Sequence, residues 1–391
     1  MRSLVLIVVQ FVVLATITVL IFPHYPRWHG FDLQHYHNIA LSLRDGSIPY
    51  QDFLLEYPPG ALVPIFLPQL LFLSTPLNAI DYALVFVIQN LIFTASIAVI
   101  LASIVFQRTS SILLKYIILT IAIAPLLPWR YDLFPTLLTA IALWGVRSRS
   151  PIISGIALGG GIVAKLYPVV LVPVFCLYYF SSHQIAAAVR MGIAAIATTI
   201  LTFVPFWWLA PDTVFSFLTY HKDRGFQIES LYSGVVILGN ILGLNTASTE
   251  TNYGAHHLVF ELSEPLLKLQ PWIFLGSIAI VYILALFRFR QASRTGEISI
   301  GILAVYCVAA LLAFILTNKV FSPQYLIWLL PFLPFLHWRF FAIATISFIL
   351  TTTVSFVTRR LRLMYPPSAI LLNLRNLSLL VVWLTLLVRK R

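Results

Sequence analysis

Nineteen consecutive residues without a charge, positions 4–22, open a chain in which such apolar runs recur as far as Val388. A run of that length matches the ~20 residues a helix needs to cross a bilayer. Hydrocarbon offers the backbone no hydrogen-bond partner, so these runs must be helices that satisfy their own amides. With 60% hydrophobic and 10% charged residues and a mean hydropathy of +0.93, a soluble globular domain is excluded. The expected fold is all-α, a polytopic membrane protein of about twelve transmembrane helices with short external amphipathic helices, in one integral-membrane domain over residues 1–391. In order, the spans read as 4–22, 82–106, 112–127, 133–146, 151–164, 166–180, 187–208, 272–287, 298–316, 325–336, 340–357 and 369–388.

Orientation follows from Lys and Arg, which mark cytoplasmic loops. They gather at Arg147 and Arg149, at Arg288, Arg290 and Arg294, and at Arg389, Lys390 and Arg391. Both termini are therefore expected in the cytoplasm of a cell-membrane protein, with the first helix retained. Loops 23–81 and 209–271 then face outside. Carboxylates contribute little to insertion and give an independent check: twelve of the thirteen fall on the outer side of this map, leaving Glu297 inside. One cluster disagrees, since 358–362 with Arg359, Arg360 and Arg362 is put outside. There it reads as a clamp for the phosphate of a lipid donor or as a contact with lipid headgroups. The net charge of +12 belongs to this pattern, and no basic, aromatic-interleaved soluble surface suggests nucleic acid. Cys176 and Cys307 both lie in apolar runs, which offers neither a disulfide framework nor a thiolate metal site.

The polar exception is FDLQHYHNIALSLRDGSIPYQDFLLEYPPG, residues 31–60, which holds Asp32, Asp45, Asp52 and Glu56 beside His35, His37, Tyr36, Tyr50 and Tyr57. Asp32 is placed to cap an amphipathic helix whose apolar positions include Leu33, Tyr36, Ile39, Ala40 and Leu43, and Gly46 to close it. Residues 47–56 read as extended, with Pro58 and Pro59 starting a new helix. Residues 61–74 are too short and proline-broken to span.

These residues carry a resemblance. Asp32 with Tyr36 four positions on, the Gly-Ser-Ile-Pro-Tyr turn and Glu56-Tyr57-Pro58-Pro59-Gly60 resemble the first external loop of GT-C superfamily polyprenyl-phosphate-dependent glycosyltransferases, and most of all glycosyltransferase family 87, the α-mannosyltransferase-like group. Arg130-Tyr131-Asp132-Leu133 with GGGIVAKLYPVVLVP around Lys165, then HKDRGFQIES (221–230), NKVFSPQYLIW (318–328) and Leu374-Arg375-Asn376 resemble its later blocks in order. The resemblance implies Asp32 as catalytic base. It implies a polyprenyl-phosphate-linked sugar donor, with mannose the sugar, and a glycolipid or glycan acceptor in contact with membrane lipids. It also implies no cofactor, although Asp32-x-x-His35 leaves a divalent cation open. Candidate substrate-binding residues are Glu56, Tyr57, Arg130, Asp132, Lys165, His221, Arg224, Gln227, Glu229, Lys319, Gln324, Arg359, Arg360 and Arg375.

From the residues alone, an ammonium at a membrane helix end, such as Lys165 or Lys319, either snorkels to the surface or finds a partner. Lys319 ahead of a helix beginning at Pro323 and Gln324 reads as an anion site. Glycines 159–161 lie in an apolar segment, where they permit close helix packing. A secondary transporter or a non-catalytic envelope-polymer assembly protein is the alternative, set against carboxylates gathered in external loops. The charge map is tested by cysteine labelling: cysteines at positions 45, 132 and 229 are expected to react from outside and those at 148 and 293 from inside, and an inside label at 132 overturns the middle of the map.

Overall fold

The computed structural model describes residues 2–105, 109–357 and 364–388. The 358–362 cluster with Arg359 and Arg360, and the terminal 389–391, lie outside the described residues. Among those described, seven helices are long and apolar enough to cross a membrane: Arg2–Arg27, Ala79–Ile104, Ile185–Leu209, Ser263–Thr295, Ile300–Thr317, Trp338–Phe356 and Pro366–Val388. They coincide with seven of the twelve expected runs. Four more runs form shorter apolar helices, Thr109–Ala122, Leu133–Arg147, Pro151–Ala164 and Tyr167–Ser181. The run 325–336 is a correction: it folds as 3-10 turns, Pro323–Leu329 and Leu333–Phe335. Pro323, Pro331 and Pro334 each remove an amide donor that a continuous α-helix needs.

The chain packs as two compact units, Met1–Val172 with Ile185–His221, and Pro173–Gln184 with Lys222–Arg391. In the first, the helices Pro151–Ala164 and Ile185–Leu209 approach at small residues. A Cβ added to Gly159 would lie 2.5 Å from the Ala195 carbonyl oxygen, so the backbones touch where side chains would hold them apart. Polar side chains inside the spans act as struts. The Gln89 amide donates to the Pro64 carbonyl at 3.0 Å, and the Asn90 amide donates to the carbonyls of Pro128 at 2.9 Å and Arg130 at 3.3 Å.

The second unit adds a small sheet to the all-α expectation. Strands β1 (Phe226–Gln227), β2 (Ala247–Asn252) and β3 (Ala255–Phe260) pair antiparallel in the order β1-β3-β2. Asn252 opposes Ala255, while Tyr253 and Gly254 both take positive φ, 48° and 63°, the geometry of a two-residue hairpin turn. One face of this sheet packs Leu258 with Ile228, Ile237, Ala369 and Leu372.

The cysteine test above is read best at Asp45 and Ser148, which are exposed, since Asp132 and Glu229 are buried. The glycine contact gives a second expectation. Gly159→Val should cut the yield of monodisperse protein in detergent and lower its melting temperature, whereas Gly160→Ala, with only a Leu138 methyl 3.5 Å away, should leave both close to wild type. Equal tolerance of the two would remove the close packing as a determinant.

Candidate functional site

The helix Gly30–Arg44 starts from His29, so Asp32 stands in its first turn and not at the cap. The capping expectation is thereby corrected, because the Asp32 carboxylate forms an ion pair with the Arg130 guanidinium. Attraction to a buried cation exceeds the ~1 kcal/mol of a cap bond. Gly46, at φ 89°, lies just past the helix, as expected of a left-handed C-terminal glycine.

Residues 47–56 are not extended but wound into a turn. The Asp52 carboxylate accepts the Ile48 amide at 2.7 Å, the Tyr50 amide donates to the Phe53 carbonyl at 2.9 Å, and Tyr50 takes φ 68°. A short carboxylate that captures a backbone amide four residues away offers the chain an alternative to a strand. The turn is anchored at both ends: the Thr213 hydroxyl donates to the Tyr50 carbonyl at 2.5 Å, and the Tyr50 hydroxyl donates to the Tyr57 carbonyl at 2.6 Å. Pro58 is extended and Pro59 opens the 3-10 turn Pro59–Ala61. A Cβ on Gly60 would lie 2.7 Å from the Val163 backbone, so only glycine lets this loop press against the end of the helix Pro151–Ala164.

That helix ends one residue before Lys165, which takes an extended conformation. The Lys165 ammonium lies 2.7 Å from Asp132 Oδ1 and 4.5 Å from the centre of the Tyr131 ring. Lys165 therefore pairs inside the protein and does not snorkel. Tyr131 meets Tyr36 and Tyr57 edge-on, with ring centres 5.7 and 5.0 Å away. Six of the candidate residues, Asp32, Glu56, Tyr57, Arg130, Asp132 and Lys165, are thus brought together in the first unit.

Sequence reasoning noted His35 only as a possible cation ligand beside Asp32, and it missed Asn90. His35, one turn after Asp32, places Nε2 2.8 Å from Glu56 Oε1. Asn90 holds the Arg130 backbone, and its signal was a polar pair in the middle of an apolar run. The hydrogen bond to Glu56 raises the His35 pKa above its usual value against the pull of burial. Burial pushes the Glu56 carboxyl up, but the hydrogen bond and charge of His35 prevail and hold it below the carboxylate range. The side chains of Arg130 and Asp132 are 4% and 1% exposed, while Asp32, Glu56 and His35 keep 28%, 21% and 35%. The cluster accordingly leaves the Asp32 and Glu56 carboxylates and the His35 imidazole partly open and keeps Arg130 and Asp132 behind them.

In the second unit, the other motifs knit into a separate, buried knot. Arg375, fully buried, faces Glu229 at 3.5 Å, donates to the Glu229 carbonyl and to Asn376 Oδ1, and lies 3.9 Å over the Phe321 ring. The Gln227 amide nitrogen donates to the Lys319 carbonyl at 2.9 Å, and its side chain to Ser322 Oγ at 3.3 Å. The Lys319 ammonium donates to the Lys222 carbonyl at 2.5 Å. The helix expected after Lys319 is corrected: Pro323–Leu329 is a seven-residue 3-10 run that also contains Gln324. Arg224 is buried in this unit. His221, on the helix Ser216–Lys222 of the first unit, sets its ring against Tyr220. Among the described residues, no three or more His, Cys, Asp or Glu side chains converge as metal ligands.

Two comparisons bear on this geometry. The sequence profile of Glycosyltransferase family 87 matches residues 53–317, more than half of the chain. No curated protein matches it.

The His35–Glu56 pair fixes a pH dependence. The Glu56 contribution to stability is fully present above its ordinary pKa of 4.5 and lost as pH falls through the lowered folded value. The His35 contribution is fully present below 6.5 and lost as pH rises through the raised folded value. The loss of melting temperature caused by His35→Gln should thus be greatest between these values and shrink at alkaline pH. A loss independent of pH would mean that the pair is not ionic.

Proposed function

Because the chain belongs to glycosyltransferase family 87 and is a membrane glycosyltransferase, we propose that it moves a hexose, mannose in our reading, from a polyprenyl-phosphate donor to a glycolipid or glycan acceptor at the outer leaflet. In this reading the chain is one catalytic domain in the cell membrane, with both termini cytoplasmic and loops 23–81 and 209–271 outside.

The observation that carries the proposal is the partly open Asp32 carboxylate, held by the buried Arg130 guanidinium and flanked by His35 and Glu56. As the acceptor oxygen attacks the anomeric carbon, the bond from that carbon to the donor phosphate oxygen breaks. The hydroxyl proton passes to Asp32, and attack from the face opposite the phosphate inverts the centre. Arg130 keeps the carboxylate oriented for this transfer. Glu56 and Tyr57 line the sugar or the acceptor, and Lys165, steadied by Asp132, contributes positive charge toward the departing phosphate. Among the remaining candidates, Arg224, Gln227, Glu229 and Arg375 of the second unit and His221 of the first are assigned to substrate contact by family likeness, Lys319 and Gln324 also by a cation and an amide ahead of the next apolar run, and Arg359 and Arg360 by their charge on the outer side of the map. The burial of Gln227, Glu229 and Arg375 favours a supporting role for those three.

Purified protein given polyprenyl-phosphate-mannose and membrane glycolipid should release free polyprenyl phosphate. Asp32→Asn keeps the side-chain size but cannot take a proton, so turnover should drop by roughly a hundredfold or more while the donor still binds. Near wild-type turnover in that variant would remove Asp32 as the base, and absence of polyprenyl phosphate release from the wild type would refute the donor.

A further inference from the structure

At one end of the second unit, four membrane-length helices converge on a cavity of about 260 Å³ that none of the chemistry above uses. Its wall takes Arg288 and Thr295 from the end of Ser263–Thr295, Ile302 from the start of Ile300–Thr317, Phe340 from the start of Trp338–Val357 and Leu386 from the end of Pro366–Val388. Four spans beginning or ending beside one cavity put it at a membrane boundary, where headgroups meet acyl chains. It is far larger than the roughly 15 Å³ that a single water requires.

The lining divides by chemistry. Arg288 and His337 supply basic groups, and Gln291 and Tyr306 add polar ones, while among the described residues no carboxylate lines the cavity. Arg288 Nη1 donates to Gln291 Oε1 at 2.9 Å, which holds the guanidinium at the wall. The remaining wall is apolar, with Val305, Leu336, Phe340 and Leu386. A wall that combines a guanidinium with apolar side chains fits an anion with a hydrocarbon chain attached.

We propose that this cavity binds the phosphodiester headgroup of an anionic membrane phospholipid, with the first methylenes of an acyl chain against Val305, Phe340 and Leu386. Guanidinium and phosphate match as fork and oxygens, which a lysine reproduces only as a point charge. A zwitterionic lipid brings the same phosphate with a choline cation, and among the described lining residues no carboxylate receives that cation. Inorganic phosphate shares the anion but forgoes the apolar wall.

The test is native mass spectrometry of the detergent-purified protein titrated with phosphatidylglycerol, phosphatidylcholine and inorganic phosphate. Wild type should retain phosphatidylglycerol in preference to phosphatidylcholine, and a matched concentration of phosphate should not displace it. Arg288→Ala should weaken retention about tenfold, as loss of one charge-assisted contact does, with Arg288→Lys recovering part of it. Val305→Trp fills the apolar wall without touching a charge and should weaken retention as well. Equal retention of the two lipids, or retention unchanged in both Arg288→Ala and Val305→Trp, overturns the proposal. Displacement by inorganic phosphate alone would also overturn it in favour of a site for the free anion.

Discussion

A guanidinium removed from water must be met by an anion, and the first unit is arranged around that requirement at Arg130. An isolated charge in a low-dielectric interior costs many kcal/mol, whereas a paired and hydrogen-bonded one is tolerated. Asp32 and Asp132 supply the anions, the first to Arg130 and the second to Lys165. Three segments far apart in the chain, the loop after the first helix, the irregular stretch before Leu133 and the break at Lys165, are thereby committed to one location. Removing any one of the four partners strands another, so charge pairing and the shape of the site are one constraint.

The same segments are where helices stop. Leu127–Trp129 is a 3-10 turn, Arg130 is extended, and Lys165 interrupts two short helices. Irregular backbone within a membrane protein survives only where protein groups satisfy it. Asn90 performs that task for Pro128 and Arg130, and Gln89, through its amide, for the Pro64 carbonyl, which Pro68 leaves without its helical donor, at 3.0 Å. Polar side chains in the spans thus act less as chemistry than as supports for the chain that carries it, while Gly60 and Gly159 supply the absence of bulk that lets backbones meet.

The second unit repeats the principle with a different outcome. Arg375 and Glu229 are both buried, and the guanidinium is further engaged by Asn376 and the Phe321 ring. No face of this pair is left for a ligand, in contrast to Asp32, Glu56 and His35, which remain partly open. The charged residues therefore divide into a closed pair, Arg375 and Glu229, and a partly open group, Asp32, Glu56 and His35, and burial makes the division.

Hydropathy is a property of consecutive residues, so the helical membrane class, the position of seven long helices and the gathering of carboxylates in loops could be read from the sequence alone. The family could likewise be read from the order of the motifs, of which the one around Lys165 lies inside the matched residues 53–317 and those around Asp32, Lys319 and Arg375 lie outside them. Local rules failed where a distant partner outbid them: Asp32 left its cap for Arg130, residues 47–56 coiled around Asp52, and Lys319 turned to the Lys222 carbonyl. The small sheet went unread because its strands are short and its hairpin turn rests on Tyr253 and Gly254 alone. That Asp132 belongs to Lys165, and Glu56 to His35, was decided only by tertiary structure, because the energy of a charge pair depends on distance and burial, and neither is a function of spacing along the chain.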